Sequence, residues 1–304
     1  MEPPELETRG AIRVGPAGWS YEDWRGVVYP DAGSRFDSLA FLARYFDAIE
    51  VNTSFYRTPP AGHATSWLRR TSFNQNFRFT IKLFQGFTHQ ESLPGDSDVR
   101  AFHDFLAPIA GAGRLGALLM QFPWSFRATG RARERLSTLF DLFSGYPIVV
   151  EVRHGSFQIE RFHHFLEEHR VGFVNIDQPV IGDAIPPTSI VTGDPAYVRF
   201  HGRNYEKWIE HDEPWQRYDY LYAQEELDPW VGRIRSMARS NDVFVITNNH
   251  FRGQAIVNAI DLKRSLDQPV EVPPPLAAYY GPRVLGSSAP RDLGTSGPQD
   301  VHDE

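Results

Sequence analysis

Charged and hydrogen-bonding residues recur at one kind of place in this sequence, the end of a short apolar run, and they alternate there with apolar ones. Glu50 pairs with Asn52, Thr80 with Lys82, Glu151 with Arg153 and Asn175 with Asp177; Tyr197, Arg199 and His201 form a triple, and Gln121 and Asn248 close two more runs. In a strand alternate residues share a face, so each pair points the same way. Acids (Glu50, Glu151, Asp177), cations (Lys82, Arg153, Arg199) and His201 are thereby expected in one cluster.

That set supports acid/base chemistry on a small polar or anionic substrate. Guanidinium forks bind carboxylate or phosphate in a bidentate way, so Arg153 and Arg199 are read as substrate clamps. Glu50 and Glu151 come from separate runs, as an acid and a base on opposite sides of a substrate would. Lys82 admits an imine with a carbonyl substrate, or pairing with Glu50 or Glu151. The expected catalytic residues are Glu50, Lys82, Glu151, Asp177 and His201; the expected substrate contacts are Trp19, Asn52, Tyr56, Gln121, Arg153, Arg199 and Asn248. Reaction classes compatible with them are hydrolase, lyase and isomerase.

Two alternatives carry their own residues. Glu50, Glu151, Asp177, His201 and His250 are ligand types for a divalent metal, which would make a metal-dependent hydrolase or isomerase. No HxH or HExxH spacing supports it, and the three cations would oppose the ion, so no cofactor is predicted. A non-catalytic binder of sugars or nucleic acid would use Trp19, Tyr21, Trp24 and Tyr56 for stacking and the arginines for phosphate. A neutral structural network of the same charges is the bland reading. Desolvating buried ions can cost more than pairing returns, so a purely structural network is a poor device for stability, which argues for function.

The elements that must position these residues are eight apolar runs: Ile12–Gly15, Ala48–Asn52, Phe77–Lys82, Leu115–Phe122, Pro147–Arg153, Val171–Asp177, Ala196–His201 and Val243–Asn248. Helical stripes lie between most of them, such as Leu39, Leu42, Tyr45 and Phe46 behind Asp37, and Phe102, Phe105, Leu106 and Ile109 behind Ser97. Strand–helix alternation implies parallel strands with right-handed crossovers, and eight repeats over about 250 residues fit a closed β/α barrel of the TIM type. Gly15-Pro16-Ala17-Gly18-Trp19 is not the glycine-rich turn of a doubly wound sheet. The sixth crossover, Gln178–Asp194, holds Pro179, Pro186 and Pro187 and little helical periodicity, so its helix is expected short or missing. Gly202–Tyr222 carries Tyr205, Trp208, Trp215, Tyr218 and Tyr220, a candidate lid. The expected organisation is a flexible segment 1–11, one barrel domain 12–285 and a disordered tail 286–304. Active sites of such barrels lie at the carboxyl ends of the strands, where the polar pairs gather.

Composition limits partners. The 304 residues carry a net charge of −7, which disfavours nucleic acid; a small-molecule substrate is the expected partner, and oligomeric state is not legible. There is no cysteine, hence no disulfide, thiol nucleophile or thiolate metal site. No apolar run approaches a membrane span, and the acidic start Met1-Glu2-Pro3-Pro4-Glu5 is no signal peptide, so a cytoplasmic location is expected.

The motifs resemble the YecE-like family, catalogued as domain of unknown function 72. The resemblance runs from about Ile12 to Leu266 and rests on Gly18-Trp19-Ser20-Tyr21, Glu50-Val51-Asn52-Thr53-Ser54-Phe55-Tyr56-Arg57, Phe77-Arg78-Phe79-Thr80-Ile81-Lys82, Gln121-Phe122-Pro123, Glu151-Val152-Arg153-His154, Tyr197-Val198-Arg199-Phe200-His201-Gly202-Arg203 and Asn248-Asn249-His250. Pro16-Ala17 stands where the family often shows Thr-Ser. The resemblance implies a barrel fold and carries no reaction with it.

Overall fold

The computed structural model describes residues 10–31, 33 and 36–285. Its frame is eight parallel strands: β1 Ile12–Pro16, β2 Ala48–Val51, β3 Arg78–Lys82, β4 Leu115–Gln121, β5 Ile148–Glu151, β6 Gly172–Asp177, β7 Ala196–Phe200 and β8 Val243–Thr247. They pair in the order β1-β8-β7-β6-β5-β4-β3-β2. The remaining seam, between β1 and β2, is drawn together at its top by the Gly18 amide, which donates to the Glu50 carbonyl at 2.8 Å. Lower in the seam, a Cβ on Gly15 would fall 1.8 Å from the Ala48 carbonyl oxygen, so only glycine permits that approach.

Helices cover the outside through the expected stripes. Asp37 caps the helix Ser38–Leu42, its carboxylate accepting from the Ala40 amide at 2.9 Å. The next stripe starts earlier than expected. Gly95, not Ser97, precedes the helix Asp96–Gly111, and Asp96 and Asp98 fill its first turn, where the positive end of the helix favours acids. Below the polar layer the barrel is plugged by rings: Phe244 packs along Tyr197 and occupies the space that a Cβ on Gly116 would need.

The sixth crossover has no helix, as its prolines foretold. The chain from Gln178 to Pro195 runs back in irregular form, and its backbone lacks the internal pairing a helix would supply. Asn175 on β6 supplies it instead: its amide nitrogen donates to Ile190 O at 2.9 Å, and its oxygen accepts from Ile190 N at 2.7 Å. The expected tail 286–304 and residues 1–9 of the expected flexible segment 1–11 lie outside the described residues.

Candidate active site

The strand-end side chains meet as expected on six strands, and their depth follows from side-chain length. Arg199 on β7 reaches across the barrel between two acids, Nη2 to Glu50 Oε1 on β2 and Nη1 to Glu151 Oε2 on β5, both at 2.5 Å. Glu50 also accepts from the Tyr197 hydroxyl at 2.9 Å. The second oxygen of Glu151 takes Arg153, 2.9 Å from its Nε, and lies 3.3 Å from His201 Nε2. With the Asn248 amide nitrogen 3.1 Å from Nδ1, a neutral ring carries its hydrogen on Nε2 and donates it to Glu151. Burial, and then the charges of Arg153 and Arg199, hold His201 neutral by pushing its pKa down to about 3. Glu151 is held well below the usual carboxylate range, because Arg199 and Arg153 outweigh its burial.

Glu50, Glu151 and His201 are fully buried and do not face the cavity above them. The reading of Glu50 and Glu151 as an acid and a base on either side of a substrate is therefore corrected: what stands between them is the guanidinium of Arg199. The space over this floor is a mouth of two joined lobes, about 460 Å³ and 670 Å³. Lys82, Gln121, Arg153, Phe55, Tyr56 and Tyr218 line both. Trp19, Asn52, Arg199 and Asn248 line the smaller one, so every expected substrate contact borders the cavity.

Asp177 does not join them. The β6–β7 register sets Asn175 opposite Val198 and Ile176 opposite Arg199, so Ile176 faces inward and Asp177 outward. The Asp177 carboxylate instead accepts from Arg203 Nε at 2.8 Å, the Tyr222 hydroxyl at 2.8 Å and Trp230 Nε1 at 2.7 Å. Those partners stand at the two ends of the aromatic segment and on the helix Gln224–Met237 behind it, so Asp177 anchors the segment's base.

The segment itself arches over the mouth through the helix Tyr205–Ile209 and a 3-10 turn, Pro214–Tyr218. Trp208 lies 6.0 Å from the Arg153 guanidinium, and Tyr218 lies 5.2 Å from His250, which stacks at 4.4 Å on Tyr21. Burial pushes His250 down to about 4. Sequence reasoning had offered His250 as a ligand type and missed Phe55, whose ring lies 3.8 Å from Lys82 Nζ. It also missed Gln178, the residue that β6 turns into the larger lobe once its parity is reversed.

Among the described residues Lys82 has no acid partner: its Nζ makes no ion pair, while burial and then Arg199 lower its pKa to about 7 against the pull of Glu151 and Glu50. Several polar atoms around the mouth are likewise buried and, among the described residues, unpaired: Asn52 Oδ1, Arg199 Nε, Gln178 Oε1 and His250 Nδ1. Each such atom costs about 1–3 kcal/mol unless something outside the protein fills it. Among the described residues no three His, Asp or Glu side chains converge as a metal would require, and the cluster expected for one has Arg199 at its centre.

The pattern of the family described as "Protein of unknown function DUF72" matches residues 13–278. The UPF0759 protein YunF of Bacillus subtilis is 30% identical over 276 residues, 84% of this chain and 95% of that protein. A crystal structure of a DUF72 family protein from Thermotoga maritima is 35% identical, with a TM-score of 0.75 over 85% of this chain and 100% of that one. Another from Enterococcus faecalis is 26% identical, with a TM-score of 0.75 over 86% and 98% of the two chains.

Proposed function

Because the chain belongs to the DUF72 family, whose description assigns it no function, we propose from the site itself that the barrel mouth is an enzyme active site for a small anionic substrate. The observation that carries this is the sorting of charge by depth. The acids are sealed beneath the arginines, so the floor offers the cavity Lys82, Arg153 and Arg199.

Arg153 is the clamp in this reading. Its Nε and Nη2 lean on Glu151, and among the described residues its Nη1 has no partner, leaving a charged donor for a carboxylate, sulfate or phosphate oxygen. Arg199 sets the field of the floor. Glu50, Glu151 and His201 act as positioning residues: they fix the guanidinium planes and contribute no proton to substrate. Lys82, with an amine that changes charge near neutrality, is the reactive group of the floor. Asn52, Gln121 and Asn248 orient the polar body of the substrate, while Trp19, Tyr56 and Tyr218 enclose it.

Titration calorimetry with sulfate tests the reading. Arg153→Met removes one charge-assisted donor, about 1.5–3 kcal/mol, so sulfate binding should weaken roughly 10- to 100-fold. Equal affinity in the variant and the native protein would contradict it.

A further inference from the structure

Lys82 differs from Arg199 and Arg153 beside it, and from Arg203. Arg199 is held by Glu50 and Glu151, Arg153 by Glu151, and Arg203 by Asp177 and Glu226. Lys82 Nζ meets the Phe55 ring instead, and its side chain borders both lobes of the cavity. An ordinary structural lysine at this depth would be paired with a carboxylate, and both carboxylates of the floor are already taken by arginine.

We infer that Lys82 is a nucleophile that forms an imine with the carbonyl carbon of an anionic aldehyde or ketone. This rests on the anion site proposed above and narrows its substrate class. An amine attacks only through a free lone pair, and two guanidinium groups beside it disfavour a third positive charge. Burial and then Arg199 lower the Lys82 pKa to about 7, which leaves free amine available at neutral pH.

The step balances without a co-reactant. The nitrogen lone pair bonds to the carbonyl carbon, and the carbonyl π pair moves to oxygen. One amine hydrogen passes to that oxygen to give a carbinolamine. The hydroxyl then leaves with the second amine hydrogen as water, and a carbon–nitrogen double bond remains. Arg153 would hold the substrate's anionic group beside the reacting carbon. Once protonated, the imine draws electrons from neighbouring bonds, which suits a lyase or an isomerase.

The chain makes the test simple, since Lys82, Lys207 and Lys263 are its only lysines. Full-length protein is treated with glyoxylate, the smallest anionic aldehyde, and sodium borohydride at pH 7, digested and mapped by mass spectrometry. An ordinary lysine has a pKa about 3.4 units above 7, so its free amine is scarcer by roughly a thousandfold; burial lowers Lys263 as well, but its Nζ is engaged by the Tyr45 carbonyl at 2.8 Å. Labelling of Lys82 should therefore exceed that of Lys207 and Lys263 by at least about tenfold and fall when sulfate is added. Lys82→Arg should lose the label while still binding sulfate. Equal labelling of the three lysines, no label on Lys82, or a Lys82 label indifferent to sulfate would overturn the inference. Sulfate calorimetry on the same preparation separates the failures: sulfate bound without a Lys82 label refutes the imine alone, and neither refutes the anion site too.

Discussion

At the scale of residues, the site is decided by which side chains are long enough to cross the barrel. Strand parity was legible in the sequence, because Glu50, Lys82, Glu151, Arg153, Arg199 and His201 alternate with apolar residues such as Val51, Ile81, Val152, Val198 and Phe200. Depth was not. Two glutamates and two arginines at strand ends read alike in one dimension, yet the longer arginines cap the shorter acids, and this alone turns a candidate acid pair into a cationic floor. Glu151 serves Arg199, Arg153 and His201 together, so Glu151→Gln should leave a buried arginine short of charge and cost about 3–5 kcal/mol of unfolding free energy in urea titration. A loss below about 1 kcal/mol would show that the network is not coupled in this way.

Among the elements, the strands and the missing sixth helix were legible, and the orientation of β6 was not, for a connected reason. Polar residues on a barrel strand are normally inward because the outer face packs on a helix. Where that helix is absent, the outer face must bond irregular backbone, and Asn175 does so at Ile190. The same reversal carries Asp177 outward to Arg203, Tyr222 and Trp230, at the root of the aromatic segment. Asp177→Ala should therefore loosen that segment. Removing charge-assisted hydrogen bonds worth about 1.5–3 kcal/mol predicts roughly 10- to 100-fold faster amide exchange across residues 203–222. Exchange there equal to that of the native protein would contradict the anchoring role.

For the whole molecule, charge and local field point in opposite directions. A net charge of −7 repels polyanions, while the mouth gathers Lys82, Arg153 and Arg199 in a cavity over the carboxyl ends of the strands. Glu50 from β2, Glu151 and Arg153 from β5 and Arg199 from β7 act on Lys82, which in turn acts on His89 beyond β3, while His201 on β7 lies against Glu151. His89 is pushed down to about 4 and His201 to about 3, so neither changes charge near neutrality, and Lys82 is the group that does. An anion seated beside it favours the ammonium form and raises its pKa from about 7, so binding must draw in a proton, and affinity must fall as pH rises past that value. Sulfate, which does not titrate in this range, isolates the effect. Calorimetry at pH 7.5 in buffers of differing ionisation enthalpy should record sulfate binding with uptake of a fraction of one proton, lost in Lys82→Met. Absence of binding, or binding with the same proton uptake in native protein and variant, would contradict an anion site built around Lys82.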